Sequence, residues 1–209
     1  MLLAACAPAA ADGVSAASKG SGFDFYVLSL SWSPSYCILE GAGADRRQCG
    51  GDRGFGFIVH GLWPQFERGY PSDCDSDEPH RVPGELVRTM LDIMPSAGLI
   101  GHEWRTHGTC TGLSQRDYLA AVRAARERVR LPKEIGEGGE AAPSTPARIE
   151  KAFLAANRGL APDGIAVTCE GGMLDEVRIC LTKGLDFRAC PRIDRDECEA
   201  GSISVPATR

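Results

Sequence analysis

Gly54-Phe55-Gly56-Phe57-Ile58-Val59-His60-Gly61-Leu62-Trp63-Pro64-Gln65 carries two messages in one stretch of chain. As far as His60 it alternates, with Phe55, Phe57 and Val59 on one side and Gly56, Ile58 and His60 on the other, the two-residue period of a strand. The strand therefore runs straight into a block that combines histidine with tryptophan. A partner strand lies upstream in Phe23-Asp24-Phe25-Tyr26-Val27-Leu28-Ser29-Leu30-Ser31-Trp32, rich in aromatic and branched residues and ended by Pro34.

Between and beyond these strands the period changes. Leu86, Met90, Ile93 and Met94 have helical spacing and predict a helix over 85–94, and Pro95 and Gly98 precede a shorter one over 99–108. Ser114, with Asp117 three residues on, caps a helix whose apolar face is Tyr118, Leu119, Val122, Ala125 and Val129. Arg116, Arg123, Arg126 and Arg128 mark the other face, a solvated surface or a substrate-steering one. Residues 133–144 form a Gly- and Glu-rich loop, and Thr145-Pro146 opens another helix running to Asn157 and Gly159. Short strands are expected over 165–169, 176–182 and 185–190. Strands and helices follow one another without a βαβ rhythm, so the expected class is α+β, with a central antiparallel sheet and several packed helices.

The apolar fraction of 43% and charged fraction of 24% are globular values and exclude disorder or coiled coil. The length of 209 residues suits one catalytic domain over 23–209, preceded by a flexible tether over 1–22. No apolar run approaches the roughly 18 residues of a membrane-spanning helix. Nine cysteines imply an oxidising compartment, hence an exported protein, periplasmic or extracellular, with one thiol left over. The odd one is Cys6: Leu3-Ala4-Ala5-Cys6 resembles a lipoprotein cleavage box, which would make the protein membrane-tethered, but no basic segment or apolar stretch of about 7–15 residues precedes it. A lipid anchor at Cys6 behind an upstream leader and an incidental cysteine both stay open. A net charge of −5 argues against tight holding of duplex nucleic acid, because Lys and Arg supply most of that affinity.

Three of the four histidines fall in two blocks, His60-Gly61-Leu62-Trp63-Pro64-Gln65 and His102-Glu103-Trp104-Arg105-Thr106-His107-Gly108-Thr109-Cys110. A zinc site of the His-Glu-x-x-His kind needs its histidines four apart on one helix face. Here they are five apart, roughly 140° round a helix, so no metal is expected. The same arithmetic puts His102, Glu103, Thr106 and His107 on one arc and Trp104 opposite. Imidazoles and a carboxylate facing one cleft suit general acid–base catalysis near or below neutral pH. RNA is an apt substrate because its 2′-hydroxyl is a built-in nucleophile, so no cofactor is needed. DNA, lacking that group, is expected to be spared. His80, in a loop rich in Pro and Asp, is read as a surface residue.

The two blocks, in this order and about forty residues apart, resemble the active-site segments of the ribonuclease T2 family, and the likeness extends over the strand at Phe23 and the cysteine layout as far as Cys198. The resemblance implies a metal-independent endoribonuclease, acting on single-stranded RNA with low base specificity, through a 2′,3′-cyclic phosphate to a 3′-phosphate. It implies that His60 is the general acid and His107 the base, that His102 binds phosphate, and that Glu103 steadies the phosphorane. Trp63 is expected to stack on a base, its structural alternative being core packing beside Phe57, and Gln65 falls where a base-contacting polar residue is placed. It implies the disulfides Cys37–Cys49, Cys74–Cys110, Cys169–Cys198 and Cys180–Cys190. The chain departs from the family at Thr106, where lysine is usual; Arg105 is adjacent but some 60° beyond His102 on the wheel. That departure motivates a rival, a catalytically weak RNA-binding or toxin-like protein, and a metal-dependent hydrolase is the other. A monomer is expected.

Overall fold

A computed structural model describes residues 22–50, 54–136, 142–194 and 197–208; Cys6 and the expected tether, apart from Gly22, lie outside these residues. The strand at Phe23 is β1 (Phe25–Trp32), buried along almost its whole length because both sheet faces are covered. Its even-numbered side chains, Tyr26, Leu28, Leu30 and Trp32, join the main core, while Phe25 and Val27 face a smaller cluster with Cys180 and Cys190. Pro34 ends the strand as expected, but it does so in the first turn of α1 (Ser33–Glu40), a helix that the sequence reading missed. A four-residue α2 (Arg46–Cys49) follows, capped by Asp45, whose side chain accepts from Arg47 N.

The quoted strand is β2 (Phe57–Gln65), antiparallel to β1 and longer than its alternation suggested, since the histidine–tryptophan block is itself strand. The helix expected over 85–94 is shorter: α3 covers only Gly84–Arg88, and irregular turns carry the chain to Met94. Thr89 N and Oγ1 both donate to the Leu86 carbonyl, the hydroxyl at 2.7 Å, so the acceptor that Met90 N would need in a continued helix is taken and Met90 N turns to the Val87 carbonyl at 3.0 Å; the segment then docks on β2, where the Ile93 carbonyl accepts from Val59 N at 2.8 Å. Met90 and Met94 are buried all the same.

Next come α4 (Ala97–Thr106), capped by the Ser96 side chain, and α5 (Gln115–Arg128), capped by Ser114 as expected. Trp104 and Tyr118 are fully buried, and Tyr118 Oη donates to the Leu62 carbonyl at 3.1 Å, fixing α5 against β2. The arginines of α5 are largely engaged: Arg123 pairs with Asp92, Arg126 Nη1 donates to the Val129 carbonyl, and Arg128 lies over the Phe187 ring. That leaves a bonded surface rather than a free cationic face. Part of the 133–144 loop is strand, β3 (Ala142–Ser144), before α6 (Pro146–Ala156) starts at the Thr145 cap.

β4 (Ile165–Glu170) and β5 (Met173–Leu181) form a hairpin, and β5 also pairs antiparallel with the free edge of β1. The strand expected over 185–190 is absent: the chain there meets Leu181 through a single bridge at Phe187 before α7 (Pro191–Asp194). β6 (Ile203–Val205) completes a six-stranded sheet among the described residues, in the order β2-β1-β5-β6-β3 with β4 on β5. The class is α+β. The sheet is mixed rather than antiparallel throughout, because β6 touches β5 in parallel at Met173 and Ser204. All four disulfides that the resemblance implied are formed.

Candidate active site

The register between β1 and β2 steps by one residue: Ser29 faces Gly61 and Leu30 faces Val59, leaving His60 without a partner. A β-bulge of this kind re-aims a side chain out of the ladder. Nδ1 of His60 is thereby hydrogen-bonded to Glu176 Oε1 on β5, while its Nε2 stands 3.7 Å from Glu103 Oε1 on α4. The other oxygen of Glu176 accepts from Arg178 Nε and Nη2, both at 2.9 Å. Sheet register makes this assembly possible, since Glu176 and Arg178 lie opposite Ser31 and Ser29 on one face.

Trp63, three residues past His60, is tied to the Glu103 carboxylate: its Nε1 donates to Oε2 at 2.8 Å. Trp63 is half-buried over the smaller apolar cluster and away from Phe57, which packs on Trp32 and Phe153 instead. The indole ring meets two imidazoles, His60 at 5.4 Å edge-on and His107 at 5.5 Å tilted by 37°. Room for this contact is made by Gly61, where a Cβ would fall far inside contact distance of both the Glu103 carboxylate and the Trp63 nitrogen.

His107 does not continue the helix. It is the C-cap of α4, with φ −118°, and a 3₁₀ turn over 108–111 follows. The helical-wheel arc drawn over 102–107 therefore fails at its last member, and it also fails for Glu103, which is buried beneath Gly61 while His102 is exposed. The reason is the turn at Gly108, pressed so closely by Trp104 and Tyr118 that no side chain fits there. The chain turns inward at that point and carries the His107 ring onto Trp63.

His102 lines two cavities. One, of about 620 Å³, includes His60, Glu176, Tyr36, Asp45 and Ser96. The other, of about 540 Å³, is bounded by Asp73, Asp75, His80, Arg105 and Thr106. His80 is exposed at its rim. Thr106 Oγ1 points to Asp73 Oδ1 at 3.4 Å and its carbonyl accepts from Asp73 N at 2.8 Å. Together with Cys74–Cys110, whose Cα atoms are 5.0 Å apart, these bonds fasten the loop after the first block to the end of the second. Arg105 is exposed and leans back along Gly101, toward the loop instead of His60. Gln65 is buried at the end of β2 and lines neither cavity.

The environment moves the ionisable groups apart. Burial alone would lower His60, but Glu176, with Glu103 and Asp175 behind it, more than offsets this and holds the imidazole above its ordinary value. Burial would raise Glu176, yet His60 and Arg178 bring it down to about 2, so it is a carboxylate and an acceptor. Glu103 is pushed up to about 7, burial outweighing the pull of His60 and Trp63. His107 is lowered to about 4 by burial and then by the neighbouring imidazoles His102 and His60. Its Nδ1 is buried with no hydrogen-bond partner among the described residues. Among those residues no group of three or more His, Cys, Asp or Glu is gathered as a metal site.

Sequence reasoning missed Glu176 and Arg178. Both sit in a segment read only as strand, and neither has a motif around it; their part in the site comes from sheet register alone.

The model of the Ribonuclease T2 family matches residues 23–190. A ribonuclease of Aeromonas hydrophila is 36% identical over 88% of this chain and 84% of its own length. A probable ribonuclease of Haemophilus influenzae is 34% identical over 53% of this chain and 45% of its own. Among solved structures, an RNase-related protein from Calystegia sepium superposes with a TM-score of 0.69 at 20% identity, over 90% of this chain and 98% of that one. RNase NT, solved in complex with 5′-AMP, gives 0.64 at 25% identity over 89% and 98%. With a family model spanning most of its length and a bacterial relative matched nearly end to end, this chain belongs to the ribonuclease T2 family and is a ribonuclease of that type.

Proposed function

We propose that the protein is an exported, metal-independent endoribonuclease that cleaves single-stranded RNA with little base preference, first to a 2′,3′-cyclic phosphate and then to a 3′-phosphate. The observation that carries this reading is the pair of imidazoles on one indole ring, His60 braced by Glu176 and His107 with no partner at its Nδ1 among the described residues. Titratable groups displaced in opposite directions mark the acid and the base. His60, held protonated, is the acid; His107, held neutral, takes the 2′-hydroxyl proton.

In the first step the 2′-oxygen forms its bond to phosphorus as its proton passes to His107. The bond from phosphorus to the 5′-oxygen breaks, and that oxygen receives the Nε2 proton of His60. Hydrolysis of the cyclic phosphate reverses the roles: water gives its proton to His60, and His107 protonates the departing 2′-oxygen. Glu103, neutral below its raised pKa of about 7, donates a hydrogen bond to a phosphoryl oxygen where charge accumulates. Exposed His102 contacts the phosphate, and Trp63 offers its free edge to a base. The test is digestion of RNA with a chelator present. Cyclic and then 3′-phosphate ends are expected at undiminished rate; 5′-phosphate ends, or loss of activity in chelator, would point to a metal-dependent hydrolase, and intact RNA to a mere binder.

The pH dependence follows from the two shifts. A plot of kcat/KM is expected to rise through about pH 4 as His107 loses its proton, then to fall above 6.5, the ordinary imidazole value, as His60 loses its own. The optimum is mildly acidic; a single alkaline optimum would contradict the assignment.

Thr106 tests the family's missing lysine. Thr106→Lys is expected to raise kcat on a dinucleotide by about 10-fold, less than the ~10²–10³ that a full charge-stabilising contact is worth, because Asp73 stands ready to pair with the new ammonium. Unchanged kinetic constants would show that no cation is wanted at this position.

A further inference from the structure

We propose that Glu176 is a positioning residue for the acid half of the reaction: by holding Nδ1–H of His60 it aims Nε2 at the departing 5′-oxygen, and Arg178 in turn holds Glu176. The proposal rests on the ribonuclease reading above and names a residue that neither sequence block contains.

The geometry is that of an orienting carboxylate. Glu176 is 4% exposed, its side chain wedged between a histidine it accepts from and a guanidinium that fills its second oxygen. Its backbone N donates to Thr168 Oγ1 at 3.1 Å, and that hydroxyl donates to Asp175 at 2.9 Å, so β4 locks the strand position as well. An ionised carboxylate has no proton to give, so the proton on this bond belongs to His60 Nδ1. The ring is then fixed in one tautomer when neutral, with a bare Nε2, and gains its second proton there.

A bulge residue has no ladder partner opposite it, which gives such a brace a part to play: His60 faces no residue of β1. The remaining charges around the ring fit the same role. From α4, Glu103 faces Nε2 and His102 shares the cavity; from β5, Asp175 adds negative charge behind Glu176. Tyr36, Glu40 and Asp45 line the cavity from the side of α1 and the segment after it, as does Glu170 from β4. On the opposite side His107 reaches the ring's field across Trp63. Among the described residues only Glu176 makes a direct hydrogen bond to the ring. During the first step the Nε2 proton leaves with the 5′-oxygen while the Nδ1 proton stays on the ring, and Glu176 keeps its charge throughout. It therefore acts through His60 and touches neither substrate nor reacting atoms.

Two substrates separate this role from a structural one. The 5′-oxygen of a dinucleotide needs a proton to depart, whereas the 4-nitrophenoxide of a nucleoside 3′-(4-nitrophenyl phosphate) does not. Glu176→Gln is expected to lower kcat on the dinucleotide at least about 10-fold, as loss of an orienting partner does elsewhere. It should leave KM within about twofold, move the alkaline limb of the pH profile to lower pH, and change turnover of the nitrophenyl ester little. Equal losses on both substrates would overturn the proposal, as would an unmoved alkaline limb. A measurement on the unsubstituted protein guards against a variant that fails to fold: ¹⁵N chemical shifts of His60 followed through its titration. Protonation above pH 6.5 and a neutral ring carrying its proton on Nδ1 are expected; a neutral ring protonated on Nε2 overturns the proposal. The NMR result needs no turnover, so a protein that cut neither substrate would defeat the ribonuclease reading alone, and the tautomer would still decide the role of Glu176.

Discussion

His107→Ala is expected to lower kcat for RNA cleavage by about 10³-fold, within the range that loss of a general base or acid costs, and to leave the fold in place. Removing this ring strands no polar partner, because its Nδ1 has none among the described residues, and it gives up chiefly the tilted contact with Trp63. His60→Ala is expected to cost a comparable factor in rate but more in stability. Glu176 would keep Arg178 and lose His60, leaving one oxygen of a buried carboxylate unsatisfied, a penalty of about 1–3 kcal/mol. Paired kinetic and thermal-unfolding measurements read the contrast directly. Activity within tenfold of the parent in either variant would remove that histidine from the chemistry, whatever its position.

The second large effect is expected at a residue with no side chain. Gly61→Ala would place a methyl group where the Glu103 carboxylate and the Trp63 indole nitrogen already meet. One of the two must move, and the 2.8 Å bond between them is the first thing lost. Overpacking of this kind costs about 1–3 kcal/mol. The catalytic loss is expected to be larger in proportion, about 100-fold or more, since misplacement by about 1 Å near reacting groups is worth that much. Either shift would disturb the proposed chemistry, since one is the carboxylate assigned to the phosphorane and the other the ring between the histidines. A Gly61→Ala protein with parental kcat and melting temperature would mean that this junction is looser than the geometry describes.

β2 was readable because alternation is a local property, and α5 and α6 were readable because Ser114, Thr145 and Pro146 mark their starts by satisfying backbone N–H groups or tolerating their absence. The 85–94 segment has equally good helical spacing, yet only four of its residues, preceded by Gly84, make a helix, because docking on β2, where the Ile93 carbonyl accepts from Val59 N, competes with a continued helix. Nothing within ten residues of sequence announces that competition. α1, β3 and β6 were missed for a related reason: each is short, and the two strands exist only through pairing across some sixty residues.

In the site the same division appears. His60, Trp63, Glu103 and His107 were legible because their chemistry is written in adjacent letters and matches a known family. The wheel that put His102, Glu103, Thr106 and His107 on one arc does not describe the helix: Glu103 is buried while His102 is exposed, and a helix that ends at Thr106 has no further turn on which to place His107. The sequence by itself determined which groups are available: three clustered imidazoles, a carboxylate, an indole, and the half-cystines that tie their segments together. Only tertiary structure supplies a physical reason for the proposed division of labour between the imidazoles, which the resemblance could name but not explain, because it depends on a carboxylate more than a hundred residues away that sheet register brings to one ring and keeps from the other. Proton affinity is a property of surroundings, and surroundings are made by folding.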